Sequence, residues 1–323
     1  MNREEIMNSI ALKKRFCKDC NLPITVYDNP YFYERLSTID IFFDCISKFD
    51  NFCYELQKFS NEQEYFEYYN QVKDGMISYI QSRSSYEDFN KNTSIIGLVM
   101  SLDSYAYPKK NLYVEPNNGC TFISIDMKKA NFSALNHYAK DIFECDEWED
   151  FVGRFTENKH IIQSKYIRQV VLGACNPKKQ IQYERYLMAI LLKHLMSQFP
   201  ELNLFSLGED EILIVVDKGY GFSLKELRKA VANCPEGIGN LVKIEMFDLH
   251  KIPGTDGWMK VVYSFSSSPD KGDNVKFKCL EADIYHQVVK HYLNQPITEN
   301  DLVFYYNGKL AKFLKEIDNP WKN

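Results

Sequence analysis

The chain lacks the signatures of the commonest nucleotide-binding and hydrolytic enzymes. Its 14 glycines form no G-x-x-x-x-G-K-[ST] phosphate loop, and Gly237-Ile-Gly239 reads as a turn, not a dinucleotide fingerprint. No local signature assembles Ser-His-Asp chemistry, and His137 and His160 stand alone as structural or exposed residues. No run of 18 apolar residues is present, which excludes a helix long enough to cross a membrane. The polar start, Met1-Asn-Arg-Glu-Glu-Ile6, predicts no secretory leader. Nine scattered cysteines, an odd number, predict a reduced, cytoplasmic chain. Cys17-Lys-Asp-Cys20 is a single C-x-x-C, and Cys45 and Cys53 do not stand at a zinc-module spacing, so plain thiols are favoured over zinc. Basic excess is also missing: the net charge of −5 excludes a protein that coats nucleic acid by bulk charge. Residues 1 to 95 show no acidic exonuclease constellation, so proofreading is not expected. There is no internal repeat or low-complexity tract.

What is there describes a globular protein. Hydrophobic residues make up 45% and charged residues 26% of 323, enough to bury a core in one large domain or two modest ones. Lysine, asparagine and aromatics are abundant while alanine and glycine are sparse, the bias of an AT-rich coding genome such as a phage, a virus or a low-GC bacterium.

Three regions are expected. Residues 1–95 read as helical, with Ile39, Phe43, Ile46, Phe49, Phe52 and Leu56 recurring at helical spacing as a core stripe. Ser82 to Ser94 reads as a loop. Residues 96–240 read as a catalytic domain with strands at Ile95–Met100, Leu112–Glu115 and Thr121–Ile125. Helices follow at Ala130–Ala139, 159–172 and Pro177–Met196, the last opened by its proline. Residues 241–323 read as a small α/β module: paired strands at Leu241–Asp248 and Met259–Phe265, a polar loop at Ser266–Asp273, and helices at Ala282–Leu293 and Leu310–Ile317. The order predicts an α+β fold, an antiparallel palm-like sheet backed by helices.

The chemistry centres on Phe205-Ser-Leu-Gly-Glu-Asp-Glu-Ile-Leu-Ile-Val-Val216, an apolar hairpin with adjacent carboxylates at its tip. Like charges there repel, and a divalent cation would offset them. A second strand, Phe122-Ile-Ser-Ile-Asp126, also ends in a carboxylate. Asp126 and Asp210 brought together would hold Mg2+ or Mn2+ for phosphoryl transfer, with Glu211 as an auxiliary group. Between 159 and 194 seven Lys/Arg face one acidic residue, Glu184, so this stretch is expected to meet nucleotide or nucleic acid, with Lys165 or Arg168 at the phosphates.

Three segments in order resemble family A nucleic-acid polymerases, the group of bacterial DNA polymerase I. Ser124-Ile-Asp-Met-Lys-Lys-Ala-Asn131 is similar to the first palm motif, with Asn131 where the family usually has Glu. Asn176-Pro-Lys-Lys-Gln180 is similar to the Asn and Gln that touch primer-template, and Glu209-Asp-Glu211 to the His-Asp-Glu hairpin. The resemblance covers about residues 112 to 233. It implies metal ligation by Asp126, Asp210 and the backbone carbonyl of Met127. It also implies nucleic-acid or nucleotide contacts from Asn131, Asn176 and Gln180. The interval of 50 positions from Asp126 to Asn176 leaves no room for the family's fingers subdomain. Three readings follow: a compact nucleotidyltransferase, a non-catalytic palm serving binding or assembly, and a nucleotide cyclase, to which Leu207-Gly-Glu-Asp-Glu-Ile212 has a looser likeness. Nucleic acid and nucleoside triphosphates are the expected partners, no membrane is expected, and the C-terminal module would be the place for a protein partner.

Overall fold

The computed structural model describes residues 1–26, 28–94, 107–216, 223–263 and 275–321. It is a mixed α/β molecule built on one six-stranded antiparallel sheet. The strands are β1 (Thr121–Met127), β2 (Leu204–Leu207), β3 (Glu211–Val215), β4 (Val242–Lys251), β5 (Trp258–Val262) and β6 (Val275–Lys278), in spatial order β2-β3-β1-β4-β5-β6. A separate hairpin joins β7 (Val303–Tyr306) to β8 (Lys309–Lys312).

Alternation along β1 decides the layering. Ile123, Ile125 and Met127 point to one face and join Ile212 and Ile214 in the main core beneath the helices. Phe122, Ser124 and Asp126 point to the other face. There Phe122 packs with Phe205, Leu213, Phe247, Leu249, Trp258 and Leu112 in a second apolar cluster. The helix Pro177–Gln198 lies against the helix Ala130–Tyr138 and also touches β3.

The N-terminal region is helical as expected, with six helices between Arg3 and Lys91. Ile39, Phe49, Phe52 and Leu56 are fully buried. Three expectations are corrected. Ser84–Lys91 is a helix, because Tyr86 and Phe89 stand three apart and bury together, Phe89 packing edge-on against Tyr138 and Tyr183. Leu112–Glu115 is not a strand: the Asn117 amide donates to the carbonyls of Leu112 and Asn111, and Asn111 accepts from Tyr113 N–H, so side chains take the ladder's place. The tail at Leu310 is β8 and not a helix, because Asn307-Gly308, both at positive φ (48° and 75°), make the two-residue turn that closes a hairpin. The expected strand Ile95–Met100 and loop Ser266–Asp273 lie outside the described residues.

The boundary expected at 240/241 falls between β3 and β4, strands of one sheet on either side of β1. The C-terminal segment is tied to the N-terminal helices by a buried network. Arg35 reaches Asp301 at 3.1 Å and the Asn300 carbonyl at 2.8 Å, and Lys290 donates to Asp301 at 2.6 Å.

Candidate active site

Asp126 sits at the end of the central strand. Its backbone is paired with Glu211 on one side and Lys243 on the other. Gly208 N–H donates to the Glu211 carbonyl at 2.8 Å, closing the hairpin turn, and Met127 N–H donates to the Asp210 carbonyl at 2.9 Å. These two bonds fix Asp210 beside Asp126. A cavity of about 640 Å³ opens there, lined by Asp126, Met127, Asn131, Lys165, Arg168, Gln180, Glu184, Asp210 and Lys243, among others.

Charge in the cavity is divided. Lys243 Nζ pairs with Asp126 Oδ2 at 2.9 Å. Burial pulls the Lys243 ammonium down, but the hydrogen bond and charge of Asp126 outweigh it and hold it above its ordinary value. Burial, then the charge of Asp126, pushes the Asp210 carboxyl up. Burial also pushes Glu211 up, against a hydrogen bond from Ser124 Oγ to its carboxylate. Lys165 is pushed down by burial and then by its cationic neighbours Arg168, Lys278 and Lys243. Burial lowers Arg168, whose Nε has no hydrogen-bond partner among the described residues.

The basic stretch is held by its own caps. The single helix expected at 159–172 is two, Lys159–Gln163 and Lys165–Gly173, because Ser164 is extended and caps the second. Ser164 Oγ accepts from Ile167 N–H at 3.0 Å and donates to buried Asp19 at 2.8 Å, while His160 Nε2 meets the same carboxylate at 3.0 Å. His160 is thus a structural tie. So is His137, which bonds the Tyr183 hydroxyl at 3.0 Å. Cys17 and Cys20 are free thiols, Cys20 pushed up to about 12 by burial.

Of the residues singled out by sequence, Asp126, Met127, Asn131, Lys165, Arg168, Gln180 and Asp210 line the one cavity. The Met127 side chain is buried in the apolar core, so only its backbone is offered to a ligand. Asn176 is turned away: its Nδ2 donates to Asn90 Oδ1 at 2.7 Å. Gln180 is 1% exposed, and its Nε2 is committed to the carbonyls of Leu172 and Cys175. That geometry withdraws its amide nitrogen from any duplex. Glu211 does not line the cavity and is anchored through Ser124.

Two residues were missed. Lys243 reaches Asp126 only through the pairing of β4 with β1, which no local pattern reveals. Glu184 was visible as the single acid in a basic stretch, one helical turn beyond Gln180 on the same face. It is 6% exposed, and burial followed by the charges of Asp210 and Glu209 pushes its carboxyl up to about 7.

Among the described residues, no three His, Cys, Asp or Glu side chains are grouped so as to hold a metal ion. The donors at the strand ends are the carboxylates of Asp126 and Asp210 and the backbone carbonyl of Met127. That set suits Mg2+, which takes one or two carboxylates and completes its shell with waters and substrate phosphates. No helix among the described residues is long and apolar enough to cross a membrane. No protein-family model, no curated protein and no solved structure matches the chain.

Proposed function

We propose that the protein is a metal-dependent nucleotidyltransferase with a palm-like sheet, acting on nucleoside triphosphates and a nucleic-acid hydroxyl. The observation that carries this reading is the meeting of Asp126 and Asp210 in one cavity with Lys165, Arg168 and Lys243. Asp126, Asp210 and the Met127 carbonyl would hold Mg2+ or Mn2+, whose chemistry is to neutralise triphosphate charge and acidify the attacking hydroxyl. Lys165 and Arg168, which line the same cavity, bind and orient the phosphates. Arg168 is held half-buried there, with its Nε unpartnered among the described residues. Lys243 holds the Asp126 carboxylate in place at 2.9 Å.

Asp126→Asn and Asp210→Asn test this. Each is expected to lower Mg2+-dependent nucleotide incorporation by about a hundredfold or more while the melting temperature is retained. Unchanged incorporation in both variants overturns it. A non-catalytic palm that binds nucleic acid is the second reading, favoured by the Lys243–Asp126 pair, which already gives one carboxylate a cation. Nucleic-acid binding by wild type with no incorporation under any metal would establish that alternative.

A further inference from the structure

The cavity is lined by two polar side chains that the phosphate and metal chemistry does not use. Gln180 and Glu184 stand one turn apart on the helix Pro177–Gln198, both more than nine-tenths buried and both lining the cavity. Gln180 donates from Nε2 to the Leu172 and Cys175 carbonyls, and its Oε1 has no partner among the described residues. The Glu184 carboxyl makes no hydrogen bond or ion pair with a described residue, and the charges of Asp210 and Glu209 add to its burial. Buried acceptors are ordinarily bonded, so the unpartnered Gln180 Oε1, with the Glu184 carboxyl one turn away in the same cavity, points to a ligand that brings donors. The same cavity is lined by the cations Lys165 and Arg168. A matching ligand carries phosphate at one end and a pair of neighbouring O–H or N–H donors at the other.

We propose that Gln180 Oε1 and the Glu184 carboxylate receive the vicinal hydroxyls of a ribose, so that the site takes ribonucleoside in preference to 2′-deoxyribonucleoside triphosphates. This rests on the nucleotidyl-transfer reading and names its substrate class. A guanine edge offers neighbouring donors too, but only one base in four has it, whereas every ribonucleotide has the diol. A 2′-deoxynucleotide lacks one of the two hydroxyls, so one hydrogen bond is lost and its acceptor is left bare.

Calorimetric binding of ATP, dATP, GTP and dGTP in Mg2+ to the full chain tests the assignment without turnover. ATP and GTP are expected to bind at least about tenfold more tightly than their deoxy forms. Glu184→Met keeps the length and removes both oxygens, and should bring that ratio close to one by weakening the ribonucleotides. Equal affinity for ribo and deoxy forms in wild type overturns the proposal and leaves nucleotidyl transfer standing. So does a preference that follows the base and not the sugar, or a ratio unchanged in Glu184→Met. Failure of all four nucleotides to bind overturns both readings together.

Discussion

Glu184 is buried without a hydrogen bond or ion pair to a described residue. Its carboxyl lies at about 7 in the folded chain against an ordinary 4.5. Between these values the native state holds a proton that the unfolded chain has released, so stability falls as pH rises through that window. The full cost, roughly 3 kcal/mol, applies above pH 7. Glu184→Gln removes it. The variant should therefore melt well above wild type at pH 8, with the gain shrinking to near zero below pH 4.5, as thermal scans at both pH values would show. A residue kept at such a cost in the candidate site fits a trade of stability for binding. Gly239 is a steric counterpart. A Cβ there would lie 2.0 Å from the Val231 carbonyl oxygen, a backbone atom that cannot swing away. Gly239→Ala should destabilise the fold by about 1–3 kcal/mol, measurable by urea titration.

Among elements, the helix Lys165–Gly173 governs the cavity, because it carries Lys165 and Arg168 and begins at the doubly bonded Ser164. Ser164→Ala removes the N-cap and strips one bond from buried Asp19. A loss of about 2 kcal/mol is expected, with weaker triphosphate binding as the helix start loosens. Chemical denaturation and nucleotide titration of the same variant would measure both. Elements with a strong local period were legible in the sequence. The core stripe from Ile39 to Leu56, β1, the acidic hairpin and the helix opened by Pro177 all fall where expected. Short elements were not. Ser84–Lys91 offers only two apolar positions, and β6 only Val275 and Phe277. The hairpin at Asn307-Gly308 was legible in principle, since that dipeptide is the strongest short turn signal, but its strands are largely exposed and carry little alternation. The site divides in the same way. Asp126 and Asp210 sit at strand ends that local pattern marks. Lys243 depends on the register of β4 against β1, and the orientation of Asn176 depends on a partner 86 residues earlier.

At the scale of the molecule, the N-terminal helices and the C-terminal segment are tied together by Arg35, Asp301 and Lys290. Burial pushes the Asp301 carboxyl up, but Lys290 and the Thr298 bonds outweigh it and hold it below its ordinary value. Asp301→Asn would leave Arg35 and Lys290 short of their shared charge in a buried site, and should cost about 3–5 kcal/mol, read as a lower midpoint in urea. The sheet order has a consequence for how the protein is made. β1 is the central strand, yet both of its neighbours are synthesised long after it: β3 begins at residue 211 and β4 at residue 242. At about 5–20 residues per second, translation leaves β1 for several seconds with two open edges before either can close. Its apolar side must therefore wait against the helices that precede and follow it. The carboxylates of Asp126 and Asp210 come to face each other only when the hairpin arrives, so the electrostatic cost of the site falls late in folding, after a hydrophobic scaffold exists to bear it.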